Sequence, residues 1–440
     1  MAAVTAKQAL PAAWQDAYRA ILEEELVPAM GCTEPIALAY GAAILREALG
    51  AQPEVLDARV SGNIIKNVKS VVVPMTGGLR GIEVALCAGL LSGQPSLRLE
   101  VLRTLGGDAR DRIAALQSRC RITLAELDTP HAFDFALDGQ CGTHRCHVRI
   151  TDFHTNVVSV VLDGEELAAR YACNGCTDAA REERAADRGL LTVENIVTYA
   201  EECDLAPLRP VLRRQIEMNT AIAREGLRGE YGAAIGKLLY RDGQASLKDR
   251  ARAYATAGSD ARMSGCELPV CILSGSGNQG MTASLPVIVY ARELGVDEDT
   301  LLRALIVSDL ITVHQKTGIG TLSAYCGAIS AGCGCGAGIC YLYGGRFYEI
   351  AHTVVNAVAI LSGTICDGAK PSCAAKIAMA VEAGIMGFEM IRTGRQFFGG
   401  DGIVQKGIEN TIRNVGRLAR DGMSETDRQI IRMMLGEEDV

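Results

Sequence analysis

The stretch TLSAYCGAISAGCGCGAGICYLY, residues 321 to 343, carries no charge and consists mostly of glycine, alanine, serine and cysteine. It is long enough to cross a bilayer, but its strongly apolar side chains are few: Leu322, Ile329, Ile339 and Leu342. So fine-grained a segment is expected as a buried helix that neighbours approach closely, not as a membrane span. Such a helix needs other helices around it. A chain of 440 residues can provide them, with room for two or three domains and a large core. Its 48 glycines against seven phenylalanines again point to close backbone contacts.

The net charge of −8 and the lack of a basic stripe with interleaved aromatics argue against nucleic acid. A small-molecule substrate is the expected partner, and a homo-oligomeric assembly stays open. The opening MAAVTAKQALPAAWQDAYRA reads as amphipathic, not secretory, so the sixteen cysteines are expected in a reducing cytoplasm as ligands, nucleophiles or small core residues.

The expected fold class is α+β. Residues 1–54 read as N-terminal helices packing on the catalytic domain, 55–190 as an α+β module, and 191–440 as a helical, Gly/Ala-rich catalytic domain. Within the module, DARVSGNIIKNVKSVVVP, SLRLEVLR, RITLAEL, CHVRITDF and NVVSVVLDG read as strand-rich, and MTGGLRGIEVALCAGLL as a turn feeding a helix.

Thiols mark the candidate chemistry. In PAMGCTEPIALAYGAAILREAL a helix restarts around Gly31 to Pro35, with Pro35 in its first turn and Thr33 or Cys32 at or before the cap, where backbone donors and the helix dipole favour thiolate at Cys32. In TICDGAKPSCAAKIAMAV, Pro371 permits a new helix with Cys373 in its first turn, and Cys366 lies on the loop before it. With Cys326, Cys333, Cys335 and Cys340, six thiols fall within 48 residues, a density that points to metal. Spacing does not choose among the four in the glycine-rich helix. Paired CxxC knuckles for zinc are lacking here, whereas an iron–sulfur cluster accepts thiolates well separated in sequence.

The stretches GCTEPIALAYGAA, SGNIIKNVKSVVVP, GSGNQG, HQKTGIGTLSAYCGAISAGCG and CDGAKPSCAAKIA, in this order from about residue 31 to 405, resemble the L-cysteine desulfidase family, relatives of the iron–sulfur L-serine dehydratase alpha chain. That resemblance implies a 4Fe-4S lyase without pyridoxal phosphate, converting L-cysteine to pyruvate, ammonia and sulfide. It implies Cys326, Cys366 and Cys373 as cluster ligands, one iron without a protein ligand, and Cys32 as the base. No cysteine follows Cys373, so the C-terminus cannot provide a fourth thiolate. L-serine dehydration by the same chemistry, or a non-enzymatic metal- or redox-sensing thiol protein, are the alternatives.

Asn63, Lys66, Asn278, His314 and Lys370 are candidate substrate-binding residues, with Ser61, Asn67, Gln279, Gln315 and Lys316 beside them. Strand alternation is expected to put Asn63 and Asn67 on one face. GSGNQG matches G-x-G-x-x-G, but an interruption at Pro286 and the lack of a return strand ending in an acid count against a dinucleotide site. A zinc site from Cys141, His144, Cys146 and His147 with Cys173 and Cys176 is disfavoured, because alternation sends Cys146 and His147 to opposite faces.

Overall fold

The computed structural model describes residues 9–171, 186–241, 244–320 and 322–435. The chain is α+β, with its sheet in the N-terminal part and helices through the rest. The sheet takes the order β3-β2-β4-β5-β6-β7, from β2 (Val55–Val60), β3 (Arg121–Glu126), β4 (Asp134–Cys141), β5 (His144–Thr151), β6 (Val157–Leu162) and β7 (Glu165–Glu166). Only β2 and β3 run parallel, with Val55 opposite Arg121, and the other pairs are antiparallel. A separate ribbon joins β1 (Pro28–Met30) to β8 (Pro269–Cys271), tying the N-terminal segment to the helical part.

Helices α1 (Ala12–Glu25) and α2 (Thr33–Leu49) have different neighbours. Tyr18 of α1 donates to the Leu190 carbonyl at 2.8 Å. Residues 33–45 of α2 are all buried, so this helix needs partners on every side. It lies over the sheet, where a Cβ at Gly41 would stand 2.7 Å from Phe135, and beneath α4 (Ile82–Ser92), where one at Gly89 would stand 2.0 Å from the Ala39 carbonyl oxygen.

Three local expectations change. SGNIIKNV forms helix α3 (Gly62–Val68), because Ile64, Ile65 and Val68 recur at helical spacing. Asn63 and Asn67 still share a face, but as neighbours four apart, with Asn67 Nδ2 donating to the Asn63 carbonyl at 2.9 Å. SLRLEVLR is not a strand. It lies in 3-10 turns at Pro95–Thr104, which bury Leu99, Val101 and Leu102. The central strand β4 escaped notice because DFALDGQC has no β-branched residue.

Helix α5 (Ala109–Gln117) precedes β3, and the helical part runs through α6 (Val193–Glu202), α7 (Arg209–Arg228), α8 (Leu247–Met263), α9 (Gly277–Leu294), α10 (Glu298–Ile319), α11 (Gly327–Leu342), α12 (Phe347–Leu361), α13 (Cys373–Arg392), α14 (Ile408–Arg417) and α15 (Ser424–Leu435). Helix α9 runs through Pro286 without ending, contrary to expectation. Among the described residues the strand before it pairs antiparallel and only with β1, which is not the parallel arrangement of a βαβ nucleotide unit. No helix among the described residues is long and apolar enough to cross a membrane.

Helix α11 is the buried axis, with residues 328–341 all inside. Its alternating glycines make two faces. Gly332 and Gly336 meet α13, where added Cβ atoms would stand 2.3 Å from Ala380 O and 2.4 Å from Gly384 O. Gly334 and Gly338 meet α10, with Cβ approaches of 2.4 Å to Ser308 O and 2.9 Å to Ala304 O. Gly384→Ala is therefore expected to cost about 1–3 kcal/mol or more, since its Cβ would fall 2.0 Å from Gly332 O and only backbone can yield. Gly363→Ala, with no neighbour within 4 Å, is the control in a thermal melt. Equal melting temperatures for the two variants would refute the close crossing.

Candidate active site

Gly31 takes a left-handed φ of 62°, and a Cβ there would stand 2.2 Å from Pro74 Cγ. This turn delivers Cys32 to the N-cap of α2. The other thiols arrive from two neighbouring segments. Cys326 caps α11, and its N–H donates to Thr364 O at 3.1 Å, while the Cys366 N–H donates to Ala324 O at 2.6 Å. This short antiparallel contact puts two cysteines forty residues apart in sequence beside one another. Cys373 is the first residue of α13 and packs with Cys32, Val71, Met263 and Ala369.

Cys32, Cys326, Cys366 and Cys373 line one cavity of about 110 Å³. Lys66, Asn278, Asn67, Gln279 and Lys316 also line it, whereas Asn63, His314 and Lys370 do not. His314 Nε2 instead meets Glu409 Oε2 at 2.6 Å, and Lys370 pairs with Asp367. Lys66 lies buried, not on the surface. Cys333, Cys335 and Cys340 are core residues away from this wall.

Several wall residues were not singled out by pattern or motif. Glu34 is two positions after Cys32 and receives the Cys32 thiol at 3.7 Å and the Thr33 hydroxyl at 3.1 Å. Arg262, at the end of α8, is buried and donates from Nε to Gly31 O at 2.9 Å. Lys376 is held by Asp367 and by Ile365 O at 2.7 Å. His154 comes from the loop after β5, so the sheet module forms part of the wall. Its Nε2 is buried without a partner, as are Asn278 Oδ1 and Gln279 Oε1. As one of several histidines in a strand-rich stretch, it offers no period or spacing by which to choose it.

The electrostatics differ from the expectation for Cys32. Burial pushes its thiol well above the ordinary value, against the opposing pull of Arg262, so the helix start does not make it a thiolate. Cys366 is shifted the other way, chiefly by the hydrogen bond from Cys326, assisted by Lys66 and Lys376; Cys326 rises correspondingly. Burial raises Cys373 and lowers Lys316 to about 8.

Three thiols on one wall are a soft donor set of the kind that holds an iron–sulfur cluster. No group of three His, Cys, Asp or Glu among the described residues surrounds a single ion. A cluster makes a different demand, because each thiolate ligates its own iron. Of the disfavoured zinc set, Cys146 is buried, His144 meets Asp163 at 2.6 Å and His147 meets Asp138 at 2.8 Å. Cys173 and Cys176 lie outside the described residues.

A helical core enclosing a cysteine-lined cavity, with a sheet module closing one wall, defines a lyase-type enzyme when set beside known proteins. Residues 137–432 match the serine dehydratase alpha chain family, and the chain belongs to that family. It is also similar to UPF0597 proteins. The one from Desulfitobacterium hafniense is 54% identical over 420 residues, covering 96% of each chain. That from Lachnoclostridium phytofermentans is 46% identical over 415 residues, covering 94% of this chain and 98% of the relative. The Treponema denticola protein is 41% identical over 424 residues, covering 95% and 97%.

Proposed function

We propose that this protein is an iron–sulfur lyase that eliminates sulfide from L-cysteine, releasing pyruvate and ammonia. The observation that carries the reading is the convergence of Cys326, Cys366 and Cys373 with Cys32 on a single cavity. The three thiols would hold a 4Fe-4S cluster, which, when bound, provides Lewis acidity for the substrate's β-substituent.

The remaining work falls to side chains of the chain. Cys32 Sγ removes the Cα proton. Because burial favours its thiol, it must first yield a proton, and Glu34 Oε2 at 3.7 Å is placed to take it while Arg262 offsets the developing charge. Breaking the Cβ–S bond leaves aminoacrylate and sulfide. The aminoacrylate then tautomerises and hydrolyses to pyruvate and ammonia. Lys66 and Lys376 provide positive charge for the substrate carboxylate, while Asn278 and Gln279 offer amides to its polar groups.

Anaerobically prepared protein is expected to contain iron and labile sulfide and to form pyruvate from L-cysteine. Cys366→Ala should lower retained iron by at least about tenfold, as loss of a metal-site residue commonly does. Unchanged iron in that variant would remove Cys366 from the ligand set. Parallel assay of L-serine tests the leaving group: turnover of serine far above cysteine would replace desulfidation by dehydration.

A further inference from the structure

We infer that Asp427, on the C-terminal helix α15, is a positioning residue of the active site, holding the Lys66 ammonium at the cavity wall. The inference rests on the amino-acid reading above, in which the substrate carboxylate is the anion Lys66 faces. Lys66 and Asp427 form an ion pair across 361 positions of sequence, with side-chain exposures of 1% and 14%. Lys66 lines the cavity and Asp427 does not.

The docking of α15 on α3 is built into both helices. Gly62 leaves room for Ile431, whose Cδ1 would stand 3.0 Å from a Cβ at that glycine. One turn or so further, Lys69 Nζ donates to the Met434 carbonyl. Lys376, by contrast, receives its carboxylate from Asp367, nine positions away on the adjoining loop. A buried ammonium keeps its place only while a counter-ion accompanies it. The Lys66 ammonium is therefore held in place by Asp427 itself.

The test compares full-length wild type with D427N, D427E and K69M, the last loosening the far end of the same helix. Reductive methylation mapped by mass spectrometry reads Lys66 without any need for turnover. Lys66 should remain protected in wild type, D427E and K69M and become labelled in D427N, with Lys376 unchanged. In anaerobically prepared protein, D427N should raise KM for L-cysteine by about tenfold, equivalent to about 1.4 kcal/mol, with kcat and iron content nearly retained and D427E recovering most of the loss. Unchanged Lys66 labelling in D427N overturns the inference, as does an equal KM rise in K69M or loss of iron and fold in both Asp427 variants. Failure of the lyase reading appears separately, as absent pyruvate release by wild type, and the labelling comparison then decides the role of Asp427.

Discussion

Cys32→Ala is expected to lower pyruvate formation by about 10²–10⁴-fold, the usual contribution of a positioned proton-transfer group, while leaving bound iron and labile sulfide at wild-type levels. The separation follows from geometry. Cys32 reaches the cavity from α2, whereas the three proposed ligands come from the segments that begin α11 and α13. Cys32 packs beside Cys373, so alanine there retains an apolar contact and leaves the α13 cysteine in place. Wild-type turnover in the variant would eliminate Cys32 as the base. Loss of iron together with activity would make it part of the cluster-binding set instead.

Asp309→Asn should stabilise the protein above neutral pH and change the slope of stability with pH. Asp309 is buried in α10, where Gln215 Nε2 donates to its Oδ1 at 3.0 Å and its Oδ2 has no partner. Burial raises its carboxyl to about 8, whereas the unfolded chain has an ordinary aspartate near about 3.9. Between those values the folded state retains a proton that the unfolded state has lost. Stability from this group therefore falls as pH rises through that window and levels off above it. Asparagine removes the titration and can still accept from Gln215. The gain at pH 8 relative to pH 4 is expected to be on the order of a few kcal/mol. Denaturant unfolding of both proteins at pH 4, 6 and 8 measures it, and a difference independent of pH would contradict a protonated native Asp309.

The fold class and the local starts of the thiol-bearing helices were legible in the chain. Pro35 and Pro371 mark where helices restart, and the structure puts Cys32 at the cap of one and Cys373 in the first turn of the other, as that punctuation indicates. The small-residue, uncharged stretch 321 to 343 likewise forecast a buried helix that its neighbours approach closely. Other features needed competition between local and long-range contacts. SLRLEVLR has the composition of a strand, but its apolar residues are buried from 3-10 turns. The SGNIIKN segment has two possible periods, and packing chose the helical one.

Taken alone, the sequence determined which side chains could bear the chemistry and that a buried small-residue helix would organise the core, because cysteine chemistry and helix punctuation are local properties. Tertiary structure decided which cysteines share a cavity, that Cys32 is held as a thiol, and that Glu34, Arg262, His154 and Lys376 join it. It also decided that Lys66 is paired with a carboxylate from the far end of the chain. These depend on burial and on approaches between distant segments, and neither the strength of a charge in a buried wall nor its nearest partner is encoded by spacing along one strand or helix.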